Sequence, residues 1–510
     1  MNLEEILYKK FGYKSFRKGQ QAVIKEILRG KDVLGILPTG TGKTLCYQLP
    51  SLLLSGMTVV VSPLLSLMED QVHQLRASGD KRVVQLNSLL SFAERKETLH
   101  NLQDDALVFI SPEMLSNEYV LQVLSRYKIS LIAIDEAHCI SQWGHEFRTD
   151  YLRLREVIKK LNSPQCVALT ATATKKVAVD IIEHLGMNNP AIHRHSVNRP
   201  EISIIMDHGE NVKEKDNKLM NWVNVLKKPG IIYVGTRNEA ERMNNILKDS
   251  YGRKIAYYHA GLTKEDRLLV QRQFLNDELD WIVATNAFGM GINKSNVCSV
   301  IHMYMPSSIE QYVQEIGRAG RGGQNSTAVS ILSIEDRFLP ISFIEREFPT
   351  ENELNTWFYK GYGSLLADRE YVNVEEIKEV FQIDDTLWRM IQYYLEQESI
   401  VKDNMINTDN LTTEVLSDLN ERFAKRSSEK LERLAQYERF TNTDGCLRQY
   451  LLHYFGESTS EQKICCSNCN TKKELINDEN IDRDVYVPIE KQDFHYSIWE
   501  KELENIFLTP

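Results

Sequence analysis

The sequence predicts an α/β protein: two tandem domains built on parallel sheets, followed by a mostly helical C-terminal region. Three observations carry that reading. From residue 33 to about 198, short apolar runs (VLGIL, TVVVS, VVQL, ALVFIS, LIAID, CVALTAT) alternate with polar or amphipathic stretches, the rhythm of strands buried on both faces and joined by crossover helices. After Asn198-Arg199-Pro200 the rhythm restarts with ISIIM, GIIYVG, KIAYYH, DWIVAT, SVIHMYM and AVSIL, with a helical segment at 238–248 between two of them. Beyond about Phe338 helical periodicity takes over. A chain of 510 residues is too long for one hydrophobic core, and these breaks divide it at 1–199, 200–340, 345–416, 417–472 and 473–510.

Composition narrows the class further. With 42% hydrophobic and 26% charged residues and only 13 Pro, the chain is globular, without a collagenous, low-complexity or broadly disordered signature. A formal net charge of −10 excludes a histone-like polyanion binder that works through overall charge, so any site for nucleic acid must be a local basic groove. Eight cysteines are too few for a disulfide scaffold: Cys46, Cys139, Cys166 and Cys298 sit among apolar neighbours, and the other four cluster between 446 and 469. The opening MNLEEILYKKFGYKSF carries acidic residues from the start and has no apolar h-region, so a cytoplasmic protein is expected. The uncharged stretch 44–68 is punctuated by Pro50, Ser55, Gly56 and Pro63 and reads as soluble core, not as a membrane span.

In the C-terminal region, TENELNTWFYKGYGSLLA and VEEIKEVF read as helical. A turn at 382–385 leads to the helical TLWRMIQYYLEQ, and SIVKDNMIN trails as a hairpin-like segment. This order fits a winged helix or helix-turn-helix, and it fits equally a plain helical connector with Trp388, Ile391 and Leu395 as its core stripe. A charged helix at 418–440 follows, then the cysteines, then an acidic, aromatic tail that carries no motif.

Three short strings carry chemistry. PTGTGKT at 38–44 follows the strand VLGIL and opens a helix, the context of a phosphate-binding loop. Within it Gly40 and Gly42, flanked by Thr39 and Thr41, let backbone N–H groups approach phosphate oxygens, Lys43 reaches the β/γ-phosphates and Thr44 is suited to ligate Mg²⁺. Leu37 replaces the glycine that usually opens such a loop. DEAH at 135–138 ends the strand LIAID at the same sheet edge: Asp135 is placed to hold Mg²⁺, Glu136 to orient and deprotonate a water, and His138 to link the site to its neighbours. QEIGRAGRGG at 314–323 sets Arg318 and Arg321 one turn apart, as candidates to reach a phosphate across an interdomain cleft, and its glycines favour close backbone approach over a plain basic helix end.

In this order, and together with FGYKSFRKGQ at 11–20, VVSPLLSLMED at 60–70, TAT at 170–172, GIIY at 230–233 with Arg237, and AT at 284–285 running to GMGINK at 289–294, these motifs resemble the RecQ family of superfamily-2 DNA helicases. The resemblance covers about two thirds of the chain. It implies RecA-like folds for both α/β domains, with ATP and Mg²⁺ as cofactors, Tyr13 stacking on adenine, Arg17 holding the nucleotide and Gln20 hydrogen-bonding the base. It further implies DNA contacts at Ser66, Arg237 and Asn293 and 3′→5′ unwinding. The string ISQWGHEFR at 140–148 resembles the family's aromatic-rich loop, which couples single-stranded DNA to ATP hydrolysis. There Trp143 and Phe147 can stack on bases, Arg148 supplies charge and His145 can relay toward the DEAH string; a place in the core, the commoner fate of such aromatics, fits this Gly-interrupted, polar-rich string less well.

Cys446, YFGE at 454–457, Cys466 and Cys469 resemble the family's zinc-binding region. Lys472 stands at the expected fourth position, which leaves Cys465 as the spare thiol beside Cys466, a poor arrangement for one metal. Zn²⁺ held by these four and reduced, packed thiols both remain open. The chain departs from the family in about seventy extra residues at 345–416, and no C-terminal HRDC domain is expected; a winged helix at 351–407 would stand before the cysteines, where the family has it after them, so the family's duplex-splitting hairpin does not transfer. The expectation is an ATP-dependent DNA helicase of replication, recombination or repair. Its substrate would be single-stranded and forked or partly duplex DNA, and its partners single-stranded-DNA-binding or recombination proteins, away from any membrane and near the nucleoid. The alternatives are a DNA-stimulated translocase, an RNA/DNA remodeller, and a DNA-binding adaptor with a vestigial ATPase.

Overall fold

The computed structural model describes residues 2–63, 65–141, 148–288, 294–361, 364–367, 369–458 and 465–470. The first sheet holds seven parallel strands: β1 (Val33–Ile36), β2 (Met57–Val61), β3 (Val83–Leu86), β4 (Leu107–Ile110), β5 (Ile129–Ile134), β6 (Cys166–Thr170) and β7 (Ala191–Arg194), in the order β3-β4-β2-β5-β6-β1-β7. Each apolar run of the first half is a strand, because a side chain on either face meets a covering helix; β1, β2, β4 and β6 are buried throughout. Strand β7 was not foreseen. Its AIHR alternates half-buried and exposed positions at the sheet edge, so it lacks the continuous apolar run that marked the others.

The order β5-β6-β1 matters for the site. Because all three strands are parallel, the loops after β1 (phosphate loop), β5 (DEAH) and β6 (TAT) leave the sheet along one edge, side by side. The uncharged stretch 44–68 resolves into the helix Leu45–Ser51, strand β2 and the first turn of the helix Leu65–Ala77. Among the described residues no helix is long and apolar enough to cross a membrane.

The second sheet repeats the plan with six parallel strands: β8 (Ile202–His208), β9 (Gly230–Tyr233), β10 (Ile255–Tyr258), β11 (Trp281–Ala284), β12 (Ser299–His302) and β13 (Ser326–Leu332), in the order β10-β11-β9-β12-β13-β8. One of its two buried faces extends beyond the domain. Tyr312 and Ile316 share a core with Leu434, Tyr437 and Phe440 of the long helix Thr413–Thr441 and with Leu447 and Leu451 of the helix Leu447–Tyr454. Each such large apolar side chain contributes about 1.5–3 kcal/mol by leaving water. The cysteine-bearing region is thereby welded to the second domain.

Between the two lies a small module: the helix Glu351–Trp357, β14 (Tyr371–Asn373), the helices Val374–Phe381 and Asp385–Gln397, β15 (Val401–Lys402) and β16 (Met405–Asn407), with antiparallel order β14-β16-β15. Asp403 and Asn404, with φ of 50° and 61°, make the two-residue turn of the wing. The element order is that of a winged helix. Trp388, Ile391 and Leu395 form its core, so the apolar stripe and the wing coexist. TENELNTWFYKGYGSLLA is helical only as far as Trp357: Phe358 leaves the helical backbone region, and Gly361 follows shortly after.

Candidate active site

The phosphate loop is braced from beneath. Gly40 and Gly42 both take positive φ, 81° and 72°, and present the loop backbone to a cleft. Gln20, at the start of the helix Gln20–Leu28, donates from Nε2 to the carbonyl oxygens of Thr41 at 2.8 Å and Gly42 at 2.9 Å, while its Oε1 accepts from the Arg17 N–H at 2.8 Å. The Arg17 guanidinium donates to the Gly40 carbonyl, and the Thr41 hydroxyl to that of Pro38 at 2.7 Å. Gln20, expected to read the base, is buried here with both ends of its amide engaged by the loop. Tyr13, at the rim of the cleft, is 56% exposed and offers a ring face.

Asp135 leaves the end of β5 and is buried. Burial, then the neighbouring Glu136 carboxylate, pushes its carboxyl group up to about 7 against the pull of Lys43, an environment that a cation would relieve. The Glu136 N–H donates to Asp135 Oδ1 at 3.0 Å, and Glu136 itself sits in the left-handed region at φ 46°. Its Oε2 is buried and faces His138 Nδ1 at 3.4 Å. His138 Nδ1 is 3.0 Å from the Thr170 hydroxyl, which donates to the Thr172 carbonyl at 3.1 Å, tying the DEAH turn to the TAT turn at the end of β6.

The second domain supplies the opposite wall. Arg318 and Arg321 line the same 580 Å³ cleft as Lys43, Thr44, Asp135 and Glu136. Burial, then Arg318, pushes the Arg321 guanidinium down to about 9, with Arg199 and Arg17 adding to the repulsion. Such crowding of cations is relieved by a polyanion. Sequence reading missed Arg199, which appeared only as a boundary marker. Its guanidinium donates to the carbonyls of Thr39 at 3.2 Å, Gly317 at 3.1 Å and Ala319 at 2.9 Å, binding both walls at once. Its only local signal was its place between the two sheet rhythms.

The residues expected at the DNA are less fully placed. Arg237 opens the helix Arg237–Tyr251, capped by Thr236, and lies against Gly261; Ser66 lies in the helix Leu65–Ala77, its side chain outside the described residues. Arg148 donates to the Pro63 carbonyl at 2.8 Å, which fixes the start of the helix Thr149–Leu152 to the loop after β2. Trp143, His145, Phe147 and Asn293 lie outside the described residues.

The four clustered cysteines converge. Their sulfurs lie within 4.8 Å of one another, with Cys446–Cys465 at 3.4 Å, Cys446–Cys466 at 3.9 Å and Cys466–Cys469 at 3.6 Å. The turn at 466–469 brings the sulfurs of adjacent Cys465 and Cys466 into one cluster, against the expectation from their spacing. The Cys465 thiol and the backbone N–H groups of Asn468 and Leu447 hold the Cys466 thiol down, to about 4, despite burial. The loop docks on the free edge of β8 through an Ile204–Cys466 bridge, and buried Arg448 donates to the carbonyls of Arg199 at 2.8 Å and Cys465 at 3.3 Å.

The DEAD/DEAH box helicase model matches residues 17–181, the helicase conserved C-terminal domain 214–323, and the RecQ zinc-binding model 386–471. The probable ATP-dependent DNA helicase RecS of Bacillus subtilis (strain 168) is 38% identical over 511 aligned positions, 99% of this chain and 98% of that one. This chain belongs to the RecQ family. The ATP-dependent DNA helicase RecQ of Pasteurella multocida is 43% identical over 327 residues, 64% of this chain, and this chain spans about half the length of that relative, 51%. Among solved structures, the Mycobacterium smegmatis helicase Lhr bound to ssDNA and AMP-PNP shares the fold, with a TM-score of 0.54 at 18% identity over 75% of this chain and 55% of that one. The RecQ zinc-binding match and the sulfur geometry agree: Zn–S bonds of about 2.3 Å in a tetrahedron require sulfurs about 3.8 Å apart. Cys446, Cys465, Cys466 and Cys469 therefore fit one closed RecQ-type Zn²⁺ site, whose chemistry would be structural, pinning the helix Leu447–Tyr454 to the edge of the second sheet.

Proposed function

We propose that this chain is an ATP-dependent DNA motor that translocates 3′→5′ along single-stranded DNA and separates forked or partly duplex DNA, in the service of recombination and repair. The observation that carries the reading is the cleft: Lys43, Thr44, Asp135 and Glu136 on one wall, Arg318 and Arg321 on the other. In this reading the loop backbone and Lys43 cradle the β- and γ-phosphates, and Tyr13 covers the base. Thr44 and Asp135 would hold Mg²⁺, which would supply charge neutralisation at the phosphates. Glu136, which lines the cleft, orients the attacking water and takes its proton; Arg318 and Arg321 stabilise the charge that builds on the γ-phosphate.

Nucleotide draws the two walls together, and hydrolysis releases them. With single-stranded DNA lying across both domains and held mainly by its phosphates, each cycle advances one domain along the strand. Arg237, Ser66, Asn293 and the 142–148 segment are the DNA contacts of this reading, and the compartment is that of the chromosome. The test is steady-state ATP hydrolysis without nucleic acid and with single-stranded DNA, duplex DNA or RNA, using Glu136→Gln as the blank. Selective stimulation by single-stranded DNA is expected. Equal stimulation by RNA moves the reading to a remodeller, and hydrolysis indifferent to every nucleic acid removes the motor.

A further inference from the structure

A winged helix on a DNA-processing chain invites the assumption that its second helix, Asp385–Gln397, reads a duplex. Two observations contradict that assumption. Residues 351–412 carry thirteen carboxylates against five cations, the wrong sign for a polyphosphate surface. The outer face of the helix is also already engaged. Glu396 Oε2 pairs with Arg153 Nη2 at 2.7 Å, and Arg389 faces Glu113 Oε1 at 3.8 Å; both partners belong to the first motor domain. Asp150, between them on the helix Thr149–Leu152, lies in the combined field of Glu113, Arg389, Arg153 and Arg148.

We infer that the winged module is an internal strut, with the Glu396–Arg153 pair as a positioning contact that sets the helix Thr149–Leu152, and with it Arg148, for the DNA response of the first domain. The inference rests on the DNA-motor reading above. The path is short: Arg153 ends the helix that Arg148 begins, and Arg148 is fastened to Pro63 in the loop after β2. At its other end the module's helix Glu351–Trp357 shares a core with Phe348 and with Phe423 of the long helix Thr413–Thr441, whose Leu434, Tyr437 and Phe440 are built into the second domain's core. The module thus spans both halves of the motor outside the nucleotide cleft, where relative domain motion can be sensed.

The test uses the full chain with Glu396→Arg, Arg153→Glu and the double exchange, in low salt because the pair is partly exposed. Each single reversal is expected to raise the single-stranded DNA concentration for half-maximal ATPase stimulation about three- to tenfold, with DNA-free hydrolysis and the melting temperature unchanged, and the double exchange to restore the wild-type value. Single reversals with wild-type stimulation overturn the strut, and so does a double exchange no better than the singles. A loss of DNA-free hydrolysis in the single variants also overturns it, since that is damage to the cleft. A wild-type chain without DNA stimulation refutes the motor reading itself, a separate result.

Discussion

The hydroxyl of Thr39, in the phosphate loop of the first domain, donates to the carbonyl oxygen of Gly317, in the arginine segment of the second, across 3.2 Å. A Cβ on Gly317 would stand 2.0 Å from that hydroxyl, although Gly317 has an ordinary helical φ of −63° that any residue adopts. The Cβ would also stand 2.9 Å from the Val313 carbonyl, so Gly317→Ala tests the far closer approach of the two walls on top of this smaller contact within its own helix. It should lower kcat/KM for ATP by about tenfold or more while the melting temperature holds, and adding Thr39→Ala should recover part of the loss. An alanine variant with unchanged kinetics would show that the walls need not meet this closely.

Arg199 binds three carbonyls on both sides of the cleft. A charge-assisted hydrogen bond is worth about 1.5–3 kcal/mol, so Arg199→Ala should lower kcat/KM for ATP about ten- to hundredfold. Lysine should not rescue it, since one ammonium cannot reproduce the fork that reaches Thr39 and Ala319 together. Steady-state kinetics of the two variants decide the matter.

Gln20 offers a cleaner distinction. As a base reader it would select adenine; as the loop brace seen here, it supports the phosphate cradle whatever base is bound. Gln20→Ala should then lower kcat/KM for ATP and GTP by a common factor. A loss confined to ATP would restore the base-reading role implied by family resemblance.

Much of this was legible in the chain because the relevant signals are local. Twelve strands show as apolar runs, and the phosphate loop and DEAH each follow one of them, so the shared sheet edge follows from parallel pairing alone. What escaped were features made by distant partners. Strand β7 takes its place from β1, not from its own polar alternation. Arg199 acquires meaning only when residues 39 and 317 are brought together. The fourth thiol was obscure because adjacent side chains diverge in an extended chain, and only the turn after Cys465 brings both sulfurs to Cys446.

The cysteine geometry predicts about one Zn²⁺ per chain by elemental analysis. Cys465→Ser should lower the zinc content at equilibrium with a competing chelator and reduce the melting temperature by several degrees, because the loop and the helix it holds are docked on β8. Unchanged zinc affinity in that variant would leave a three-thiolate site with Cys465 as a packed neighbour.

The most direct test of the central claim is displacement of a labelled strand from partly duplex DNA, with one substrate tailed only 3′ and another only 5′, in the presence of ATP and Mg²⁺ and beside Lys43→Ala. The account predicts strand separation by the wild type on the 3′-tailed substrate only and none by Lys43→Ala. Displacement without ATP, or by Lys43→Ala at the wild-type rate, would contradict it.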